Sequence, residues 1–182
     1  MTVLAPLRVD GELALHPRHG GDAAEMLALV ERNRESLREW LTWIDATRTL
    51  GDVRRYGHYA QAQYESRIAF DFGIRSGGAL VGAIGLHGFD WGNRSAQIGY
   101  WLVPAARGRG IITRSAAALV GHAFGPLEMH RLEIRCVVEN ERSRAVAERL
   151  GFTFEGMLGE AYLLHGAFRD IALYAKTASS GA

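Results

Sequence analysis

Two stretches of the chain carry residue types that could do chemistry. The first reads Arg107-Gly108-Arg109-Gly110-Ile111-Ile112-Thr113. An apolar run from Ile98 to Val103 leads into it through a Pro-led loop. From Ile112 onward, apolar residues recur at helical spacing: Ile112, Ala116, Leu119, Val120, Ala123 and Phe124. Strand, glycine-rich turn and helix in that order make an anion site. The first N–H groups of a helix lack partners, and the helix dipole adds partial positive charge there. Glycines let the backbone approach a phosphate, and Arg107 and Arg109 add charge. A bound diphosphate is the expected ligand. The second stretch is Asn140 with Ser143 one turn later. Both residue types favour the first turn of a helix, Asn140 as its cap.

Other phosphate loops fit poorly. The glycine turn is not G-x-x-x-x-G-K-[ST]. It is also not G-x-G-x-x-G with an acidic residue ~20 positions further on. It follows about the fourth strand of a mainly antiparallel meander, where dinucleotide folds use the first strand of a parallel sheet.

The elements that must position these residues follow from periodicity. Residues 1–9 read as a loose leader, and Glu12–His16 alternates as a strand that ends at Pro17. Asp22 could cap a helix carrying Met26 and Val30. A second helix carries Leu37, Trp40, Leu41 and Ile44. Asp52 could cap a third carrying Val53, Tyr56, Ala60 and Tyr64. Ile68, Phe70, Phe72 and Ile74 alternate as a strand, and Ser76-Gly77-Gly78 turns it back into Leu80–Leu86. The strand Ile98–Val103 and the glycine turn come next, with their helix stopping near Gly125-Pro126. A strand Leu132–Val138, a helix from Asn140 to Leu150 ended by Gly151, and a hairpin around His165-Gly166 complete the order. The tail from Thr177 reads as frayed. The expected fold is α/β (α+β): one domain spanning 1–182, ordered over about 10–176, on a mixed sheet flanked by helices.

Composition narrows the class. The 182 residues suffice for one real core, and 48% apolar with 23% charged residues is globular. A net charge of +1 gives no reason to expect nucleic acid or a membrane as partner. Twenty of the 21 cationic residues are Arg, which fits a GC-rich bacterial genome. A lone Cys136 rules out an internal disulfide, and its alternation with Ile134 and Val138 reads as a core thiol. No apolar run nears the ~20 residues of a membrane span, and no secretory signal is visible. A cytoplasmic protein is expected. The seven histidines show no ligand spacing, so no metal is expected.

With the loop, IGYWL before it, RCVVENERS, AERLGFTFEG and GAFRDIALYAK in this order, the chain resembles the GNAT superfamily of N-acetyltransferases. Arg107, Gly108, Arg109, Gly110 and Ile111 fit the family's Q/R-x-x-G-x-G/A loop for acetyl-CoA; Ile112 departs from the final Gly/Ala. A bulky residue there, and the early LREWLTWI, are similar to the ribosomal-protein alanine and serine N-acetyltransferases. The resemblance runs from about residue 10 to 176. It implies a mostly antiparallel sheet of six to seven strands, splayed where acetyl-CoA enters. Backbone groups of Leu102 and Val103 would pair with the pantetheine arm, and N–H groups of residues 108–113, Thr113 included, would hold the pyrophosphate.

Acetyl transfer needs a deprotonated amine, a donor for the developing oxyanion and a proton or hydrogen bond for the thiolate. Many family members place a Tyr before the final G-F; here Ala147 holds that position. The resemblance implies Ser143 as the donor to the thiolate and Asn140 as a contact to the arm. The branch's Glu before IGYWL is Gln97 here, and its other Glu aligns with Tyr162, two residues after Glu160. A two-residue shift keeps one strand face, so Glu160 is the candidate base. Its competing reading is a solvated carboxylate. A water chain ending in Tyr162 or a histidine is the other account. An α-amine with pKa ~8 needs less of a base than lysine at ~10.4. Trp40 and Trp43 could be core or cleft wall, and Tyr100 and Trp101 must point to opposite faces. Arg131, Arg135, Arg142, Arg144 and Arg149 could be a solvated face or bind the 3′-phosphate of CoA.

The expected function is acetyl transfer from acetyl-CoA to an α-amine, such as the N-terminus of a ribosomal protein, by direct attack in a ternary complex. The alternatives are a small-amine acetyltransferase, acting on an antibiotic or amino-acid conjugate, and a non-catalytic acyl-CoA-binding domain. A homodimer is a family-based expectation.

Overall fold

The computed structural model describes residues 5–178. The chain runs β1 (Leu7–Arg8), β2 (Leu13–Pro17), α1 (Ala23–Arg32), α2 (Arg34–Arg38), α3 (Leu50–Glu65), β3 (Phe70–Ser76), β4 (Ala79–Asp90), β5 (Ser95–Leu102), α4 (Ile111–Phe124), β6 (Arg131–Val137), α5 (Glu141–Arg149), β7 (Thr153–Leu164) and β8 (Ala167–Thr177). The strands form one sheet in the order β1-β2-β3-β4-β5-β6-β8-β7. Among the described residues, only β5 and β6 run parallel, as the α4 crossover between them requires. The sheet is mixed and mostly antiparallel as expected, but has eight strands instead of six to seven. The extra edge strand comes from residues read as leader: Leu7 pairs with Leu15 and Arg8 with Ala14. Residues 1–4 of that leader and 179–182 of the tail lie outside the described residues.

The splay has a defined start. β5 pairs with β6 from Ser95/Arg131 only to Ile98/Ile134. Beyond that, Gly99–Leu102 pair with β4 alone, and Arg135–Val137 pair with β8 alone. A gap therefore opens between the second halves of two neighbouring strands.

Register sorts the side chains onto two faces. Phe72, Ile84, Ile98, Tyr100, Ile134, Cys136 and Tyr174 share one, with Leu132 and Ile134 almost without solvent contact. The α5 helix reaches this face: the Tyr100 hydroxyl bonds Ser143, and the Arg144 guanidinium donates to the Tyr174 hydroxyl. Asp71, Gly85, His87, Gly99 and Trp101 lie on the opposite face. The α3 helix and the segment before it reach that face through Tyr56 on Asp71 and Trp43 on Trp101.

Local chemistry moved several boundaries. Asp22 does sit at the N-cap of α1, but its carboxylate pairs with Arg18 at 3.1 Å and bonds no helix N–H. Thr49, and not Asp52, caps α3. Its hydroxyl accepts from Asp52 N–H while the Asp52 carboxylate accepts from Thr49 N–H, a reciprocal capping box. The second helix is broken: α2 stops at Arg38, Leu41 is extended, and Thr42–Ala46 forms a 3-10 turn. Arg34 holds this fold-back by donating to the carbonyls of Ile44 and Thr47. Ile68 is 54% exposed and precedes β3. The α4 helix starts at Ile111, which is buried, while Ile112 turns toward the gap.

Candidate active site

The glycine turn ends β5 and begins α4. Pro104–Ala106 forms one 3-10 turn, and Gly108 and Gly110 then take left-handed φ values of 76° and 68°. Only glycine enters that region freely, and a Cβ at either position would meet no atom within 4 Å. The cradle is thus open, not packed. After Arg107, the first N–H with a backbone acceptor is that of Arg114, which donates to Gly110 at 2.9 Å. Among the described residues, the N–H groups of Gly108, Arg109, Gly110, Ile111, Ile112 and Thr113 have no acceptor. Six free donors at the positive end of a 14-residue helix fit a diphosphate.

A groove of about 610 Å³ runs from this turn along the gap to α5. Leu102, Arg107, Ile112, Thr113, Asn140 and Ser143 line it, with Arg142 and Arg149 at its sides. Arg107 donates to Ser36 at 3.0 Å; burial, with Arg142 nearby, lowers its pKa. The Arg109 side chain turns away to an exposed ion pair with Glu12 at 2.7 Å, so only its backbone serves the turn. The five arginines read as one group divide. Arg142 and Arg149 line the groove, while Arg131 and Arg135 pair with Glu133 and Arg144 braces Tyr174.

The two residues expected to meet the arm differ. Val103 N–H donates to Val81 O at 3.0 Å, and its carbonyl accepts from Ala106. Both its groups are used, and the side chain is buried. Leu102 stands opposite Gly82, one residue out of phase, so its N–H and carbonyl face away from β4 into the gap.

Ser143 sits on the first turn of α5. The Asn140 side chain accepts from Ser143 N–H at 3.1 Å, so Asn140 is the cap. The Tyr100 hydroxyl lies 3.0 Å from Ser143 Oγ and donates to the Ser143 carbonyl at 3.1 Å. Burial pushes the Tyr100 phenol well above its usual value, with the Ser143 bond opposing. It stays a hydroxyl that can donate. Cys136 stands on the same face, and burial raises its thiol as well, against the Ser143 bond and the Arg144 charge. Ala147, at the position where many family members carry a Tyr, is fully buried.

Glu160 and Tyr162 are not brought to Ser143. Glu160 sits in the irregular stretch of β7 between Leu158 and Tyr162, with φ of 50°, and its N–H donates to Asp170 at 2.8 Å. The bulge breaks the simple alternation that put Glu160 and Tyr162 on one face. The Tyr162 hydroxyl lies 3.5 Å from Thr42 Oγ1, and its ring packs near Trp40. Neither residue lines the groove.

A second cavity of about 440 Å³ lies on the other face of the sheet. Its walls come from α1 and α3 (Met26, Val30, Tyr56, Tyr59) and from Trp43; its floor is Asp71, Gly85, His87, Gly99 and Trp101. It shares Leu41, Tyr100 and Trp101 with the groove, so the two spaces meet at the gap. Tyr100 thus serves the Ser143 side and Trp101 the cavity side, stacked obliquely on Trp43 at 5.9 Å. Trp40 lines the groove and Trp43 the cavity, so both are walls. The polar groups of the floor were not foreseen. Asp71 accepts from the Tyr56 hydroxyl, and Arg18 stands 5.5 Å over the Tyr56 ring. Burial raises the Asp71 carboxyl, while Tyr56, Arg18 and His87 oppose it. Their one sequence signal was position: Asp71 stands between the apolar Phe70 and Phe72, and His87 follows Leu86 on the opposite phase of its strand.

The family model described as acetyltransferase (GNAT) domain matches residues 12–153. The ribosomal-protein-serine acetyltransferase of Escherichia coli strain K12 is 31% identical over 174 residues, covering 96% of this chain and 97% of its own. RimL, the ribosomal L7/L12 alpha-N-protein acetyltransferase, solved with coenzyme A, superposes with a TM-score of 0.92 at 27% identity over 95% of this chain and 98% of that one. The microcin C7 self-immunity acetyltransferase MccE, solved with acetyl-CoA and AMP, gives 0.91 at 27% identity, covering 98% and 100%.

Proposed function

From the premise that this chain belongs to the GNAT acetyltransferase family, we propose that it works as one domain that acetylates an α-amine with acetyl-CoA, the acceptor being the N-terminus of a ribosomal protein. The observation that carries this is the meeting of two different spaces at Tyr100 and Trp101: a groove ending in free N–H donors, and an apolar cavity. Such an acceptor supports a cytoplasmic reaction; no described helix is long and apolar enough to cross a membrane.

When bound, acetyl-CoA supplies an activated acyl group on a thiol leaving group. The N–H groups of residues 108–113 hold its diphosphate, with Arg107, Arg142 and Arg149 adding charge. Leu102 offers its N–H and carbonyl to the arm like one more strand residue. Asn140 fixes the first turn of α5, so Ser143 Oγ is held at the gap. Ser143 donates to the departing sulfur, and the Tyr100 hydroxyl, 3.0 Å from Ser143 Oγ, supports it by turning its proton from the Ser143 carbonyl to that oxygen. The largely apolar walls of the cavity surround the attacking amine.

The cavity's volume lies in the ~300–1,000 Å³ range of small-molecule sites. That suits the first residues of an unfolded chain end. It equally suits a small amine, and the likeness to MccE supports this second reading. The test is thiol release from acetyl-CoA with peptides beginning Ala or Ser, against a peptide whose only amine is a lysine. Turnover on the α-amine peptides is expected; turnover no greater than the lysine control would remove the α-amine claim. A higher kcat/KM on polyamines or aminoacyl conjugates would favour the second reading.

A further inference from the structure

We infer that His87 is the proton acceptor for the acceptor amine, standing on the cavity floor one strand away from Gln97 and facing Asp71. The inference rests on the amine-acetylation reading above and names the base that reading lacks. His87 is opposite Gln97 in the β4–β5 register. Its ring lies over Gly99, where a Cβ would come within 3.1 Å of His87 Cε1. Next to it, Asp71 lies over Gly85, where a Cβ would meet Asp71 Oδ1 at 3.1 Å. The facing glycines Gly85 and Gly99 therefore clear a bare patch of sheet on which an imidazole and a carboxylate rest side by side.

This patch has the right place and the right chemistry. It floors the cavity that opens onto the groove at Tyr100 and Trp101, the two residues that follow Gly99 in β5. Among the described residues, neither ring nitrogen of His87 has a hydrogen-bond partner. Asp71, by contrast, is occupied by Tyr56, with Arg18 nearby. The groups that face His87 are Asp71 from β3, which favours its charged form, and Arg135 from β6, which disfavours it. The residue keeps an exposed edge, but partial desolvation on the cavity floor outweighs Asp71 and lowers its pKa from the usual 6.5, so the ring is neutral at pH 7. It can accept a proton, and Asp71 stabilises the imidazolium that forms. Gln97 cannot titrate, and Glu160 is not on this floor.

The balance is simple. The ammonium gives one proton to His87, which releases it to solvent. The freed lone pair forms the N–C bond to the acetyl carbon as the C–S bond breaks. The second amine proton ends on sulfur, so the products are amide, thiol and one proton.

The test compares wild type with His87→Gln on an Ala-initiated peptide. At pH 7, kcat is expected to fall by ~10²-fold or more with KM for acetyl-CoA unchanged. The loss should shrink as pH rises through ~8, where an α-amine deprotonates unaided. Wild-type kcat in the variant, or a loss that is constant with pH, overturns the assignment while leaving acetyl transfer intact. A wild type that acetylates no amine instead removes the parent reading, and this inference with it. Independently of activity, the His87 imidazole resonance in the ligand-free protein should titrate below 6.5, and further below in Asp71→Asn. A His87 titration that ignores Asp71→Asn refutes the pairing.

Discussion

Replacing Tyr100 by Phe removes one oxygen from a side chain that touches Ser143 twice, at 3.0 Å to Oγ and 3.1 Å to the carbonyl. If Ser143 bonds the departing thiolate, that bond is charge-assisted and worth ~1.5–3 kcal/mol. Ser143→Ala should then lower kcat by roughly 10- to 150-fold, at ~1.4 kcal/mol per factor of ten. Tyr100 acts one bond further back, through a neutral pair worth ~0.5–1.5 kcal/mol, so Tyr100→Phe should cost about 2- to 13-fold. The decisive variant is the double one. With Ser143 Oγ gone, the phenol keeps only its bond to the residue 143 carbonyl, which does not reach the sulfur, and the double variant should match Ser143→Ala. The coupling energy then equals the whole Tyr100→Phe effect, within the ~0.5–3 kcal/mol seen for residues in contact. The assay is thiol release at saturating acetyl-CoA and peptide, which reads kcat. A double variant whose loss is the product of the two single losses would show independent action and refute the relay. Thermal unfolding of each variant separates this from damage to the fold.

Two further outcomes concern the helix that walls the cavity. Gly57 lies inside α3, where Ala would ordinarily gain up to ~1 kcal/mol. Here a Cβ would stand 2.7 Å from His19 backbone C and O and 2.8 Å from Gly20 N, so overpacking of ~1–3 kcal/mol outweighs the gain. Gly57→Ala should lower Tm by about 2–8 °C, and an unchanged or higher midpoint would contradict the close packing. At the start of α3, bonds from Thr49 and from the N–H groups of Arg48 and Thr49 hold the Asp52 carboxyl at about 2, against 3.8 when free. A depressed carboxyl stabilises the fold fully above 3.8 and loses that contribution as pH falls through about 2. Urea midpoints of wild type and Asp52→Asn should therefore differ at neutral pH and converge toward about 2. A constant gap across that range would mean the capping box does not set the shift.

How much of this was legible without coordinates depends on the range of the interaction. The glycine turn, Asn140 as cap and the strand phases are local. They follow from φ freedom, from a side chain reaching three residues along, and from alternation within one segment. Local competition was harder. Asp52 and Thr49 are both good caps, and the choice was made by a reciprocal pair of bonds. Residues 39–41 could continue a helix, yet Arg34 bonds carbonyls 10 and 13 residues away and folds the segment back.

The sequence by itself determined the anion turn, the helix-capped serine and the family order of elements, because each is written within a few consecutive residues. Only the tertiary structure decided which of Tyr100 and Trp101 meets Ser143. It used up the backbone groups of Val103, turned the Arg109 side chain to Glu12, put Glu160 in a bulge outside the groove's lining, and set His87 and Asp71 side by side. Those outcomes depend on which strand lies next to which and on where two of them part. Register across a sheet is a sum of many weak pairings between distant segments, and no single stretch of the chain contains it.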